Sequence, residues 1–218
     1  MPILSIIIVN YKTPALLDEC IASLTQTIRD TSYEIIVVDS ESDGEAPKML
    51  AERFPAVRCI PFTENTGFGK AVNAGIRVAQ GNYLLILNTD IVATDYAVDT
   101  LVRFLASHTD VGMAGPKLYG IENTYQQSAF RFPSLMTIAY RRTPLGKLPW
   151  AKKHLDRFTY ADKKLSNALE SQRVDWLMGA ALLVSRKTTE QVGLMDERFF
   201  MYFEDVDWAR RFWENGYA

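Results

Sequence analysis

Apolar residues follow two periods along this chain. Ile3–Val9, Glu34–Val38, Val57–Phe62, Tyr83–Leu87 and Val111–Leu118 are short runs rich in Ile, Leu and Val. Runs that are apolar on both faces predict strands buried in a parallel sheet. Helix-period segments lie between them. Thr13 reads as an N-cap with Pro14 at the first helical position, and Leu16, Leu17, Cys20, Ile21, Leu24 and Ile28 form an apolar stripe. The turn cluster Ser40–Gly44 leads into a helix to about Phe54, Lys70–Ala79 reads as another, and Thr94 caps one reaching about Ser107. Strands alternating with helices predict an α/β fold of βαβ units, with right-handed crossovers stacking helices on both faces of a mostly parallel sheet.

After Gly120 the alternation stops. Residues 121–172 read as loop-rich, with Pro133, Pro144 and Pro149; Val174–Val184, interrupted by Gly179, reads as a bent strand or a strand after a turn; Val206–Trp213 reads as a helix stopped by Asn215-Gly216. No repeat and no internal boundary divides the chain, so one domain over 1–218 is expected. With 218 residues, 48% of them hydrophobic, it is long enough for a large core.

Charge changes the picture locally. The net charge of −2 speaks against non-specific nucleic-acid binding. Yet Arg141, Arg142, Lys147, Lys152, Lys153, Arg157, Lys163 and Lys164 face only Asp156 and Asp162 across the 141–164 stretch. Cys20 and Cys59 give no disulfide framework and no metal spacing, and are expected as buried free thiols in a reducing compartment. The start of the chain lacks a signal peptide, and no apolar run reaches the roughly 20 residues of a membrane span.

Candidate chemistry gathers where apolar runs end in acids. Ligands of parallel sheets bind at the carboxyl ends of the strands. Asp39 ends the second run; a carboxylate there can accept the imino N–H of a uracil or thymine ring, or serve as a turn residue. Asn88-Thr89-Asp90 ends the fourth; Asp90 suits a hard divalent cation that holds a pyrophosphate, or a helix entry. Asp95 and Asp99 read as ordinary helix-surface charges. Gly67-Phe68-Gly69-Lys70-Ala71 lacks the spacing and hydroxyl of a nucleotide-phosphate loop, but it places two glycines where a helix begins, and helix N-termini attract anions. Asn65 and Asn73 are placed to hydrogen-bond a sugar or nucleotide. Glu204-Asp205 follows the aromatic run Phe199–Phe203; desolvated acids gain basicity and suit general-base work, or they cap the helix that follows. His108 and His154 have no partner at metal or triad spacing.

Taken in order, Ser5–Tyr11, Val37–Ser40, Asn65–Gly75, Leu87–Asp90, Trp176–Ala180 and Phe203–Asp207 resemble the family 2 inverting glycosyltransferases of GT-A fold, closest to their bacterial rhamnosyltransferase-like branch. The resemblance spans nearly the whole chain. It implies a three-layer α/β/α sandwich around a Rossmann-like sheet, with a nucleotide-binding part over about 1–118 and an acceptor-side part over about 119–218.

The resemblance also implies roles. Asp39 would read the pyrimidine of a UDP- or dTDP-sugar. Asn10 and Tyr11 would line the nucleotide pocket; Asn65, Gly67, Phe68 and Asn73 would flank nucleotide and donor sugar; Gly179 and Ala180 would lie near donor or acceptor. Asp90, beside Asn88, would bind Mg2+ or Mn2+. Asp205 would deprotonate the acceptor hydroxyl, supported by Glu204. The acceptor would be a cell-surface saccharide or a lipid-linked one. The expected location is cytoplasmic, peripheral on the inner face of the membrane, with Arg141–Lys164, interleaved with Trp150, Phe158 and Tyr160, on anionic headgroups or a lipid pyrophosphate. The alternative for that stretch is a solvated basic surface. Two departures stand out. Asn88 replaces the first acid of Asp-x-Asp, and one fewer carboxylate weakens metal binding. The chain stops at Tyr217-Ala218, where relatives continue, which reads as truncation or one domain of a longer enzyme. The rival readings are a sugar nucleotidyltransferase and a non-catalytic sugar-nucleotide-binding module.

Overall fold

The computed structural model describes residues 2–163 and 165–218, apart from the side chain of Asp162. Met1, and Lys164 at the end of the basic stretch, lie outside the described residues, as does the Asp162 carboxylate.

The first half alternates as the hydrophobic pattern predicts. In chain order it holds β1 (Leu4–Asn10), α1 (Pro14–Thr27), β2 (Tyr33–Asp39), α2 (Glu45–Arg53), β3 (Arg58–Pro61), α3 (Phe68–Val78), β4 (Tyr83–Asn88) and α4 (Ala97–Ser107). There follow β5 (Met113–Ala114), β6 (Leu118–Tyr119), β7 (Tyr125–Gln126), β8 (Ala129–Phe130), α5 (Leu135–Arg142), α6 (Pro149–Phe158), β9 (Trp176–Leu177), β10 (Ala181–Ser185), α7 (Arg186–Val192) and α8 (Glu204–Glu214). The central sheet has the order β3-β2-β1-β4-β10-β5, with β10 antiparallel to both neighbours and β3, β2, β1 and β4 parallel.

Side chains of a strand alternate between faces, and the core divides accordingly. Leu4, Ile6 and Ile8 pack with α1, α2 and α4 residues such as Leu17, Leu24, Leu50 and Val102. Ile7, Leu84 and Ile86 pack on the other side with Val72 and Ile76 of α3 and Trp208 and Phe212 of α8. The result is the expected helix–sheet–helix sandwich. Close layering depends on Gly75, where an added Cβ would meet the Ile7 side chain at 2.5 Å.

Several expectations change. The run Val111–Leu118 is two short strands, β5 in the main sheet and β6 in a hairpin with β7, because Pro116 has no N–H to carry the ladder on. Val174–Val184 is not one bent strand: β9 pairs with β8, and β10 enters the main sheet after the Gly179-Ala180 break, in keeping with the alternative of a strand after a turn. The supposed loop region holds α5 and α6. A capping box between Ser134 and Thr137 opens α5, and Pro149 stands in the first turn of α6, where its missing N–H does no harm. Thr94 does not cap α4; its carbonyl accepts the Ala97 N–H, and Tyr96 precedes the helix in a left-handed conformation. Cys20 is buried as expected, whereas Cys59 is half-buried.

Asp99 is the largest local correction. It is fully buried, not a surface charge, and accepts the backbone N–H groups of Arg29 at 3.0 Å and Asp30 at 3.1 Å. Burial pushes its carboxyl up, but the N–H donors of Arg29, Asp30 and Thr31 and the Thr31 hydroxyl outweigh it and hold it below the ordinary 3.8. It pins the α1–β2 connection to α4. A depressed carboxyl contributes stability above its unfolded pKa and loses it as pH falls through the folded one. Asp99→Ala is therefore expected to lower the unfolding free energy by about 1–3 kcal/mol at neutral pH. In denaturant titrations the gap between wild type and variant should shrink below the ordinary Asp value of 3.8; a gap that is absent at neutral pH contradicts this role.

Candidate active site

Strand register builds one wall of the site. β1 pairs with both β2 and β4, setting Asn10 opposite Asp39 and Val9 opposite Asn88 at the carboxyl edge. Asn10 and Asp39 are buried there, and Asn10 Nδ2 donates to Asp39 Oδ1 at 2.6 Å. The Thr13 hydroxyl donates to Asn10 Oδ1 at 3.0 Å, so the Asn10 amide is locked. Asp39 Oδ2 is buried without a hydrogen-bond partner among the described residues. A buried carboxylate oxygen left unpaired is costly, and the cost is relieved when a ligand donor reaches it.

The loops after β1, β2 and β3 close around this pair. The exposed Tyr11 hydroxyl donates to Glu41 Oε2 at 3.0 Å and Lys12 Nζ to Oε1 at 2.5 Å. Asn65 Oδ1 accepts from Ser40 Oγ at 3.4 Å and from the Gly67 N–H at 3.0 Å, fixing the turn into α3. Beside it the Thr66 hydroxyl is buried and unpaired, a feature no motif announced.

Gly67 has φ +80°, and a Cβ there would lie 2.4 Å from the Phe200 carbonyl oxygen. The same carbonyl accepts the Phe68 N–H at 3.1 Å. The 199–203 loop thus closes directly over the start of α3. Its aromatic side chains do not desolvate the acids as bulk: Phe200, Met201, Tyr202 and Phe203 are exposed, with Tyr202 and Phe203 in left-handed conformations. Non-glycine residues held there carry strain that only a well-determined surrounding maintains.

Asn73 departs from its expected place. Its amide donates to the Met195 carbonyl at 2.8 Å and Glu197 Oε1 at 3.0 Å, and accepts the Met195 N–H at 3.0 Å. With both N–H groups taken, it clasps the 195–197 segment to α3 instead of facing a nucleotide. Ala180 likewise buries its methyl in the core, and its carbonyl accepts the Asn88 N–H at 3.0 Å.

The second wall is the junction of β9 and β10 with α8. The Gly179 N–H donates to Asp205 Oδ2 at 3.0 Å, and the Val206 N–H to Oδ1 at 2.8 Å. A Cβ on Gly179 would stand 3.3 Å from the Phe68 ring and 3.6 Å from Asp205 Oδ2. Gly179, Phe68 and Asp205 therefore meet. Burial pushes the Asp205 carboxyl up, opposed by the N–H groups of Gly179, Val206 and its own residue. Glu204 is buried with Oε2 unpaired, and its carboxyl is raised by burial and further by Asp205.

Asp90 is exposed just beyond β4. The neighbouring Cys20 thiol is pushed up to about 12, by burial first and by the Asp90 charge second. The Thr89 hydroxyl lies 2.9 Å from that of Thr13, which ties this loop to the start of α1. Among the described residues no three His, Cys, Asp or Glu side chains gather as a metal cage. One carboxylate fits an ion held largely by substrate phosphates and water. A cavity of about 620 Å3 lies elsewhere, between α4, β5 and the 170–177 segment, and none of Asp39, Asp90 and Asp205 lines it.

The α/β sandwich thus carries polar groups at the carboxyl edge of its parallel strands and a half-buried acid, Asp205, beside Gly179 and Phe68. Residues 5–205 match the family described as Glycosyl transferase family 2. The chain belongs to that family; it is a glycosyltransferase, which sets aside the nucleotidyltransferase and non-catalytic readings. It is 29% identical to the N-acetylglucosaminyl-diphospho-decaprenol L-rhamnosyltransferase of Mycobacterium tuberculosis, over 99% of this chain and 72% of that protein. It is 26% identical to the low-salt glycan biosynthesis hexosyltransferase Agl10 of Haloferax volcanii, over 95% of this chain and 61% of that one. In fold it matches a mannosyltransferase from Pyrobaculum calidifontis, solved with GDP-Man and Mn2+, with a TM-score of 0.67 and 19% identity, over the whole chain and 53% of that structure's chain. It thus spans about half the length of that solved enzyme.

Gly67→Ala is expected to lower stability by about 1–3 kcal/mol, through left-handed strain and the clash with the Phe200 carbonyl. Limited proteolysis should cut faster within 199–203; an unchanged melting temperature and cleavage pattern contradict the close approach.

Proposed function

We propose that this chain transfers a sugar, rhamnose in the first instance, from a UDP- or dTDP-sugar to a lipid-linked saccharide, inverting the anomeric centre. The observation that carries the reading is the Asp205 carboxylate, drawn in and fixed by the Gly179 and Val206 N–H groups beside Phe68. The kinship with a rhamnosyltransferase whose acceptor is a decaprenol-diphosphate saccharide supports the substrate class.

In this reading the unpaired Asp39 Oδ2 accepts a ring N–H of the pyrimidine, while Asn10 keeps the carboxylate in place. Tyr11, Asn65, Gly67 and Phe68 border the nucleotide and donor sugar. Asp90 is the residue that would hold Mg2+ or Mn2+, and such an ion neutralises charge on the pyrophosphate when bound. Asp205 takes the proton of the acceptor hydroxyl as its oxygen attacks the anomeric carbon and the nucleoside diphosphate leaves. Glu204, buried against Gly69 next to it, supports the base, and the Asp205 charge helps burial to raise the Glu204 carboxyl. Tyr202 and Phe203 present exposed ring faces next to the base, where an acceptor sugar stacks.

Asp205→Asn is expected to lower transfer by about 10²–10⁴-fold. Its stabilisation by nucleotide sugar in a thermal-shift titration should stay that of wild type. Equal transfer rates would remove Asp205 from the mechanism. The base works ionised, and burial raises its pKa. Transfer should therefore fall on acidification at a higher pH than a solvated Asp would set, and Asp205→Glu should shift that limb. A rate that is flat into the range of an ordinary carboxylate contradicts the assignment.

A further inference from the structure

The α5–α6 hairpin has its polarity reversed. Thr137 is 2% exposed, and its hydroxyl lies 2.9 Å from His154 Nε2 inside the hairpin. Tyr140 sits edge-on to both His154 and Trp150, at 5.3 and 5.1 Å between ring centres. Outside are Leu135, Met136, Ile138, Leu145, Leu148 and Trp150; Leu135 is 85% and Trp150 55% exposed. Polar groups inside and six large apolar groups outside, within sixteen residues, are not arranged for water.

The charges around them are of one sign. Arg141, Arg142, Lys147, Lys152 and Lys153 are exposed and form no ion pair among the described residues. Asp156 is the sole acid between 135 and 158. The structure also corrects the sequence expectation. Phe158 and Tyr160 are buried and take no part in this surface, which runs instead from Leu135 to Lys153.

We propose that this hairpin docks on an anionic phospholipid bilayer. Leu135, Ile138, Leu148 and Trp150 enter the boundary between headgroups and acyl chains, and the Arg and Lys side chains meet lipid phosphates. Aliphatic and Trp anchors flanked by basic residues are the composition of interfacial helices. A second copy of the chain is the poorer occupant, because two such surfaces would set like charges face to face. The hairpin is inserted in the chain between β8 and β9, and β9 leads into Gly179, whose N–H holds Asp205. The inference stands apart from the donor assignment: vesicle binding needs neither nucleotide sugar nor turnover.

The test is co-sedimentation of the purified chain with phosphatidylcholine vesicles and with vesicles containing phosphatidylglycerol, at low and high salt. Binding is expected to the anionic vesicles and to fall with salt. The combined change Leu135→Ser, Leu148→Ser, Trp150→Ser should weaken it at least about tenfold at either salt. Lys147→Gln, Lys152→Gln, Lys153→Gln should remove its salt-sensitive part, with the melting temperature of this variant unchanged because the three lysines are exposed; Leu135→Ser alone, at a side chain 85% exposed and likewise without change in melting temperature, should already weaken binding. Absence of binding to phosphatidylglycerol vesicles, or binding that none of the variants weakens, overturns the proposal. So does a dimer in sedimentation velocity that the apolar substitutions abolish.

Discussion

The whole site rests on the register of β1 between β2 and β4. Sliding either partner by one residue would turn its side chains to the opposite face and separate Asn10 from Asp39. The register holds because both faces of these strands are filled: Ile6 and Ile8 belong to one core, Ile7, Leu84 and Ile86 to the other. Burial of aliphatic surface thus sets the position of two polar side chains that gain nothing from being buried themselves. One Asp39 oxygen is satisfied by Asn10 and the other is not. That incomplete satisfaction is what the proposed role of Asp39 as a ligand acceptor rests on.

The second wall is fixed by different means. Trp208 and Phe212 anchor α8 on the far face of the sheet, and Asn73 clasps the 195–197 segment that leads toward it. The 199–203 loop is then drawn over Gly67, and the helix begins with Glu204 and Asp205 turned inward. A carboxylate at a helix N-terminus is favoured by the helix dipole, which limits the burial penalty, and the two N–H donors position its oxygens. The strand edge around Asn10 and Asp39 and the acid Asp205 are built from separate parts of the chain, and Asp205 meets the start of α3 at Phe68 and Gly179.

Much of this was legible in the chain because the signals are local. Strands apolar on both faces, Pro14 at a helix start and acids at strand ends each declare themselves within a few residues. What was hidden depends on distant partners. Asp99 looks like any helix acid until the backbone of Arg29 and Asp30 arrives to bind it. Asn73 looks like a ligand contact until Met195 takes its amide. Pro149 reads as a breaker unless it is seen to stand in a first helical turn. Which aromatic residues of the basic stretch are buried depends on packing that periodicity does not encode, so Phe158 and Tyr160 were placed outside and Leu135 was overlooked.

The proposed mechanism makes one half-buried carboxylate, Asp205 held by the Gly179 and Val206 N–H groups, drive a single displacement at the anomeric carbon. The anomeric configuration of the product tests it most directly. NMR coupling constants at the new glycosidic linkage, formed from a donor of known configuration, should report the opposite configuration. A product that retains the donor's configuration would contradict the account.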